Sequence, residues 1–577
     1  MDERQKREYW TEASMNATIA MRFLVVIETQ KVKSYLFTSP FMRETRGASV
    51  LLDLLNRKET KEILKEFGTT SEEIYLGGGS GRVLFKNKHD AEKFKKEVLE
   101  LYRRETINAR VSVEIVERIN DESFTEWVSR GVMMTRQSKL GRVEGVPVLA
   151  GRWIRPCTSC GSEPAERMLS EHGEHRLCRA CSLKREKVNG LYKEIKPTKM
   201  GNKVLKSSSE LGTKYTDNFI FSTLAKYNEE ADCQVFLPQD FDDIGQSSMP
   251  SNYMGFIYAD GNRMGETIKE IGRLFPKDED ATRAYKAFSE IVDQATREAA
   301  VEAVLNVVNF EEWKTADGMY RSIPAEFIMA GGDDLMLAVP SHNAMDVAVL
   351  FIEGFQEKTK KLQKDYVENR KLPERFAKEG ITTSAGVVIA HTNYPINDLM
   401  TLAGELMKIA KKKSAELLST QEYETGTLDF LVLTESGSES VKQRRDREYT
   451  KQRNSGLEVK LTERPYTPAE VRWLLNTIRD LKDPKVPRSK LKALYPVLFQ
   501  SLPQAQFDAL RIRERLKTTG DLEENSPLYQ LCMKDLSIFP FRQPDQKDDK
   551  HWTTPLTEII ELYDFTQTRK DREACPI

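Results

Sequence analysis

Residues 326–340 read Glu-Phe-Ile-Met-Ala-Gly-Gly-Asp-Asp-Leu-Met-Leu-Ala-Val-Pro, two apolar runs joined by Gly331, Gly332, Asp333 and Asp334. Apolar runs on either side of a Gly/Asp cluster read as a β-hairpin. Two adjacent carboxylates at such a turn suit nucleotide chemistry. The glycines let a triphosphate approach the backbone, and the aspartates can share Mg²⁺ or Mn²⁺ with its phosphates. Gly and Asp are also what ordinary turns use, so these four letters alone leave a plain hairpin equally open.

A second segment adds a third acid. Residues 254–266, Met-Gly-Phe-Ile-Tyr-Ala-Asp-Gly-Asn-Arg-Met-Gly-Glu, read as a strand that ends in Asp260, turns through Gly261 and enters a helix near Thr267. Pairing of 255–259 with 326–330 is expected to set Asp260 beside Asp333 and Asp334, giving three carboxylates for two divalent ions. Two ions roughly 3.5–4 Å apart support in-line displacement at an α-phosphate. Each acid is thus a ligand first and a base second.

Residues 381–391, Ile-Thr-Thr-Ser-Ala-Gly-Val-Val-Ile-Ala-His, read as another strand, followed by a helix over 396–413 with Leu399, Leu402, Leu406 and Ile409 on one face. Lys411, Lys412 and Lys413 close that helix, where cations offset its dipole. The alternative is that one of them reaches a triphosphate.

The predicted order is strand 254–260, helices within 263–308, strands 324–330 and 335–339, helix 343–367, strand 382–390 and helix 396–413. This is β-α-β-β-α-β, the ferredoxin-like Palm. With Asp260 after the first strand and Gly331-Gly332-Asp333-Asp334 in the central hairpin, it resembles the Palm shared by diguanylate cyclases and the large subunit of type III CRISPR effector complexes. The pattern also occurs twice. Residues 21–29 align in kind with 254–262, and 74–85 with 328–339. In the first copy Glu28 falls near the place of Asp260, while Gly79 and Ser80 replace Asp333 and Asp334, so it lacks the ligands for two metals. It reads as a second Palm that packs on the active one and helps wall the nucleotide pocket.

Between the copies lies Cys157-Thr-Ser-Cys160, then seventeen residues, then Cys178-Arg-Ala-Cys181. The spacing matches a four-thiolate zinc ribbon, in which sulfurs at roughly 2.3 Å close a tetrahedral structural site. His172 and His175 lie in the loop and could substitute for a ligand. Cys233, Cys532 and Cys575 read as ordinary thiols.

At 577 residues the chain is long enough for three to five domains, and its 88 basic and 89 acidic side chains balance. Overall attraction to nucleic acid is therefore not implied, and RNA contact must come from local patches. Candidates are Lys184 to Lys206 and Lys442 to Arg453, each of which also reads as a solvated linker. No apolar run reaches the roughly 18 residues that a membrane span needs, and residues 1–20 lack the apolar core of a signal peptide. The expected location is the cytoplasm, with no membrane partner.

The expected fold class is α/β (α+β). It comprises a polar extension 1–20, a degenerate Palm 21–145, a zinc-ribbon module and linker 146–250, an active Palm 251–417 and a C-terminal helical domain 418–577. The last begins with a capping box, Thr467-Pro-Ala-Glu470, and an apolar stripe of Val471, Leu474, Leu475, Ile478 and Leu481, with further helical signals at 489–501, 503–516 and 554–566. This order, together with Tyr35 to Ser39 and Arg43 to Ser49 after the first strand, resembles the Cmr-type large subunit of type III CRISPR systems. The resemblance implies a subunit assembled with others on CRISPR RNA that, on binding target RNA, converts ATP into cyclic oligoadenylates. It implies that Asp260, Asp333 and Asp334 carry the metals, and that Gly331, Gly332, Gly261, Asn262 and Arg263 line phosphates. Ser384 would lie near a base, and Lys411 or Lys412 would touch a triphosphate.

Many members of that family begin with an HD nuclease. Here the first Palm strand starts near residue 22, and His89-Asp90 is the only His-Asp pair, Asp90 reading as the cap of a helix over 91–104. The expectation is that this subunit cleaves no DNA. Two other readings stay open: the same site joining ATP to S-adenosylmethionine, and a non-catalytic scaffold that holds RNA and neighbouring subunits.

Overall fold

The computed structural model describes residues 21–140, 154–169, 175–189, 193–195, 204–206, 234–236, 238–315, 318–368, 380–421, 424–434, 439–452, 458–482, 488–500, 502–518, 540–541 and 551–569. His172, Cys233, Cys532 and Cys575 lie outside the described residues.

The first copy begins with β1 (Phe23–Gln30), α1 (Val32–Leu36) and α2 (Met42–Leu54). It continues through β2 (Ser71–Gly77), β3 (Ser80–Phe85), α3 (Lys88–Thr106), β4 (Arg110–Glu117) and α4 (Phe124–Leu140). Its sheet order is β2-β3-β1-β4, all neighbours antiparallel. Asn87, not Asp90, caps α3: the Asn87 side chain accepts from the Asp90 backbone N–H, so the helix starts three residues earlier than the sequence suggested. Asp90 sits in the first turn, where an acid also favours the helix dipole.

The second copy repeats this plan with β5 (Tyr253–Gly261), α5 (Met264–Leu274), α6 (Asp278–Leu305), β6 (Glu326–Gly331), β7 (Asp334–Pro340), α7 (Ala344–Glu368), β8 (Thr383–His391) and α8 (Ile396–Gln421). A fifth strand, β9 (Leu428–Val432), extends the sheet to the order β6-β7-β5-β8-β9. One expectation is corrected here. Residues 255–259 pair with 335–339 of β7 and not with 326–330. The crossover through α5 and α6 makes β6 parallel to β5, and the returning hairpin strand β7 fills the slot between them. A second correction concerns α8, which runs on to Gln421, so Lys411 to Lys413 lie inside the helix and do not cap it. No Gly or Pro interrupts the chain until Gly426, so nothing stops the helix at 413.

The two copies match in register. Glu28 stands opposite Ser80 on β3 and Ser112 on β4, as Asp260 stands opposite Asp334 on β7 and Ser384 on β8. Lys31 and Arg263, each just before the first helix of its copy, share the left-handed backbone, with φ 48° and 52°.

Strand alternation explains how the copies join. Ile257 and Ala259 of β5 face a core built with α6 and α7, while Met254, Phe256 and Tyr258 face the opposite side. That second side is covered by α8 (Leu399, Leu402, Leu406) and by Leu36, Met42 and Leu51 of the first copy. In return, Ala281 and Tyr285 of α6 pack on the face of the first sheet that carries Leu24 and Val26. Each copy lends its first helices to the other's sheet. Asp260 and Asp334 continue the row of Phe256, Tyr258 and Met336, so both acids lie on the face the first copy covers.

After β9 the chain is not purely helical. Thr450–Gln452, Glu458–Lys460 and His551–Thr553 form a three-stranded sheet beside helices Pro468–Leu481, Arg488–Gln500, Leu502–Thr518 and Leu556–Leu562. The Thr467/Glu470 capping box is present and the Val471–Leu481 stripe is buried. Among the described residues no helix is long and apolar enough to cross a membrane.

Candidate active site

Three carboxylates lie near one another at the end of β5, less tightly gathered than the sulfurs of Cys157, Cys160, Cys178 and Cys181. Asp260 and Asp334 are register partners on adjacent strands. Asp333 comes at them from the turn: a Cβ placed on Gly261 would lie 3.0 Å from the Asp333 Cβ and would clash with Met264 Cε, so the turn packs closely here. All three acids are half-buried. Burial first, and then the charge of Asp260, push Asp333 up to about 8 and Asp334 up to about 6.

Cations answer this repulsion. Lys411 Nζ donates to Asp260 Oδ2 at 2.5 Å and to the Gly261 carbonyl at 2.6 Å. Lys33, from α1 of the first copy, donates to the Tyr258 hydroxyl, which in turn donates to Asp334 Oδ1 at 3.3 Å. Burial lowers the Lys33 pKa, and the charges of Asp334 and Asp260 work against that fall. A donor set of carboxylate oxygens, hard and mutually repelling, fits Mg²⁺ or Mn²⁺.

The turn that carries the acids is itself held from below. Gly332 has φ +62°, its N–H donates to Asp293 Oδ1 at 2.9 Å, and its carbonyl accepts from Thr296 Oγ1 at 2.7 Å. Asp293 is gripped by Arg57 at 2.5 Å and 3.0 Å and also pairs with Arg297. Burial raises the Asp293 pKa, but Arg57 and Arg297 more than reverse this and hold the group below the usual carboxylate range. Arg57 lies in a single π-helical turn, Leu55–Glu59, which tilts it toward the second copy. The hairpin turns of the two copies also touch: Gly78 of the first lies against Gly331 and Gly332 of the second.

The other expected site residues separate into two groups. Gly261, Gly331 and Gly332 lie beside the acids, and Lys411 reaches them. Lys412 points away, exposed and 3.8 Å from Glu416. Asn262 is buried and anchors the turn, donating to Thr382 Oγ1 at 2.9 Å and Ser414 Oγ at 3.3 Å. Arg263 is exposed at the start of α5, where its guanidinium meets Glu266 at 2.6 Å. Ser384 neighbours Asp260 in register, but its buried hydroxyl is engaged by Thr427 at 3.3 Å. A cavity of about 120 Å³ between the copies is lined by Lys33, Asp53, Gly78, Arg297, Gly331 and Asp334.

Lys33, Tyr258, Arg57 and Asp293 escaped the sequence reading. Tyr258 carried a signal, standing two residues before Asp260 on the same strand face. Lys33 and Arg57 belong to the other copy and carried none.

The second candidate centre is the cysteine cluster. The Sγ atoms of Cys157, Cys160, Cys178 and Cys181 all lie within 4.8 Å of one another; among the described residues no other group of three or more His, Cys, Asp or Glu is so tightly gathered. The turn at the Pro156–Pro164 bridge carries Cys157 and Cys160, while the hairpin Arg167–Leu169/His175–Leu177 and the start of helix Arg179–Asn189 bring up Cys178 and Cys181. Four soft ligands in this spacing fit structural Zn²⁺. His175 is outside the cluster. Lys184 and Arg185, expected in a solvated or RNA-facing stretch, are instead buried against the first copy. Lys184 donates to the Tyr35 carbonyl at 2.7 Å, and Arg185 pairs with Glu44 at 2.9 Å. The 442–453 stretch is likewise not a linker at its start: Val441–Glu448 is a helix whose Arg445 grips the buried Asp429.

A doubled ferredoxin-like sheet with an acid-bearing hairpin defines a palm-domain protein of nucleotidyl-cyclase-like fold. Within that class, residues 253–416 match the sequence model described as Cas10/Cmr2, second palm domain. The solved Csm1 of T. onnurineus is similar over 95% of this chain and 70% of its own, at 12% identity and a TM-score of 0.51. A Csm1–Csm4 cassette in complex with one ATP is similar at 13% identity and TM-score 0.51, covering 95% of this chain and 70% of that one. The Csm1–Csm4 subcomplex of the type III-A CRISPR-Csm interference complex gives 13% and 0.51, over 94% and 69%. No curated protein sequence matches. The family model covers under a third of the chain, and the solved structures, at 12–13% identity, share its fold.

Proposed function

We propose that the chain is the target-RNA-activated nucleotidyltransferase of a type III CRISPR complex, forming a cyclic oligoadenylate messenger from ATP. The observation that carries this reading is the convergence of Asp260, Asp333 and Asp334 from two strands and a turn. A scaffold has no use for buried acids that repel one another. The solved Csm1–Csm4 cassette with ATP, of the same fold, adds support.

In this reading a ribose hydroxyl of one nucleotide attacks the α-phosphorus of ATP, the bond to the β-phosphate oxygen breaks, and pyrophosphate leaves. Asp260, Asp333 and Asp334 would hold two Mg²⁺ or Mn²⁺ ions. When bound, such ions lower the pKa of the attacking hydroxyl and stabilise the leaving oxygen. The turn Gly261-Asn262-Arg263, side-chain-free at its first position and opening α5, suits phosphate. Lys411 exchanges Asp260 for the triphosphate. The first copy walls the site, and the zinc module holds the first copy. Other subunits, CRISPR RNA and target RNA would complete the complex.

The test is product analysis. The reconstituted complex, given labelled ATP, Mg²⁺ or Mn²⁺ and target RNA, with and without S-adenosylmethionine, should yield cyclic oligoadenylates by mass spectrometry. An adduct seen only with S-adenosylmethionine would replace ATP as the acceptor. No turnover under any condition would leave the scaffold reading.

A further inference from the structure

Lys33 is a cation of the first copy that stands against the acids of the second. Its ammonium bonds the Tyr258 hydroxyl, lies 4.1 Å from the centroid of that ring and reaches Asp334 through the hydroxyl. Its helix, α1, is only five residues long, and no side chain caps its start. A single turn of helix is not stable by its own hydrogen bonds, so its position must be fixed from outside.

The apolar residues of α1, Tyr35 and Leu36, are packed in the core, and a polar support comes from the zinc module. Lys184 is fully buried, and its ammonium donates to the carbonyl of Tyr35, two residues from Lys33, while lying 4.0 Å from the Tyr35 ring. Lys184 sits one helical turn after Cys181 and feels the charges of Cys181, Cys178 and Cys160. Four thiolates around Zn²⁺ carry a net charge of about −2, which keeps a buried ammonium in place. Ser159 of the module adds a second tie, its hydroxyl 2.7 Å from that of Ser39.

We propose that Lys33 is a positioning residue of the acid site, a resident cation that competes with divalent ions for Asp334, and that the zinc module sets its strength by fixing α1 through Lys184. Lys184 holds the Tyr35 carbonyl, α1 carries Lys33 two residues before it, and Lys33 reaches Asp334 through Tyr258. The inference rests on the reading of Asp260, Asp333 and Asp334 as ion ligands. A unit charge roughly 8 Å from a divalent ion, about the reach of Lys33 through the Tyr258 hydroxyl and Asp334, weakens its binding by roughly fivefold at aqueous screening.

The test is Mn²⁺ titration of the full-length, zinc-loaded chain at pH 8, followed by the paramagnetic resonance signal of free Mn²⁺. Lys33→Met should bind Mn²⁺ roughly fivefold tighter than the unsubstituted chain, and Lys33→Arg should restore the weaker binding. Tyr258→Phe, which removes only the bridging hydroxyl, should also tighten it. Lys184→Met, which touches no acid, should shift affinity the same way with zinc still at one per chain. Lys184→Gln, which keeps a donor for the carbonyl, should fall between and serves if Lys184→Met does not fold. Unchanged affinity in Lys33→Met and Tyr258→Phe overturns the role of Lys33. A shift there with none in either Lys184 variant overturns the link to zinc. If the unsubstituted chain binds no Mn²⁺, the ion-ligand reading itself fails, a distinct result.

Discussion

Asp260 and Asp334 stand directly opposite each other on neighbouring antiparallel strands, a pairing in which like charges destabilise the sheet. Replacing either by Asn keeps the shape and removes the repulsion. Asp334→Asn should therefore raise the melting temperature of the chain in the absence of divalent ions, by about 1 kcal/mol of stability. The same change should lower nucleotide turnover by at least about 100-fold, on the scale of losing an electrostatic contact to the transition state. Calorimetry and product assays on one preparation check both. A variant that is less stable yet fully active would contradict the assignment.

The pH dependence has a definite sign. Asp333 and Asp334 titrate above the ordinary carboxylate range, up to about 8 and about 6. The folded chain thus holds protons there more tightly than the unfolded chain. Without divalent ions that stabilisation is complete below about pH 4 and is lost as pH rises toward 8. Ion binding must expel these protons, so Mn²⁺ affinity should climb between pH 6 and 8, by up to about tenfold per unit for each proton displaced. Titrations at three pH values decide it, and a flat profile would mean that the ions bind elsewhere.

Arg57 and Asp293 belong to different copies and form a largely buried pair beneath Gly332. Arg57→Met leaves Asp293 with Arg297 and the Gly332 N–H, takes the Arg57 partner from Asp53 as well, and should cost on the order of 3 kcal/mol. Adding Asp293→Asn should recover part of that loss, the mark of a direct interaction. Denaturant unfolding of the two single variants and the double variant measures it.

How much of this was legible follows from where each signal lay. Asp260, Asp333 and Asp334 could be read because Asp260 and Asp333 each sit beside glycine, and Asp334 next to Asp333, at the end of an apolar run. The strand partner of 255–259 could not, because 326–330 and 335–339 are equally apolar and only the crossover rule separates them. Lys411 was separable from Lys412: it lies four residues after Met407 and eight after Ala403, on the buried stripe of α8. Lys184 resembled a solvated lysine because its partner, a backbone carbonyl 149 residues away, leaves no trace in composition. Lys33 was invisible for the same reason, its partner Tyr258 lying 225 residues on.

Zinc content is the next measurable quantity. Cys157→Ser removes one of four thiolates and should take bound zinc from one per chain to nearly none, since a structural site with three ligands loses most of its affinity. The helix Arg179–Asn189 would then no longer be held, and with it the buried Arg185–Glu44 pair. Elemental analysis and proteolysis between residues 154 and 189 report the two effects. Full zinc occupancy in the variant would show that His175 or another group replaces the sulfur.

The two hairpins meet backbone to backbone. Gly78 has φ +55°, and a Cβ there would come within 2.9 Å of the Gly332 nitrogen and 3.2 Å of the Gly331 carbonyl carbon. Those are backbone atoms of the turn that aims Asp333 and Asp334, and they cannot rotate away as a side chain would. Gly78→Ala thus carries a backbone penalty of about 1 kcal/mol and a displacement of the acid turn. Gly68 provides the control, since it also has positive φ, at +51°, but open space around its Cβ. Gly68→Ala should lose only the backbone term and keep turnover, whereas Gly78→Ala should lose turnover as well. Equal activity in the two variants would mean that the first copy's hairpin does not position the acids, and that the degenerate copy acts as a wall alone.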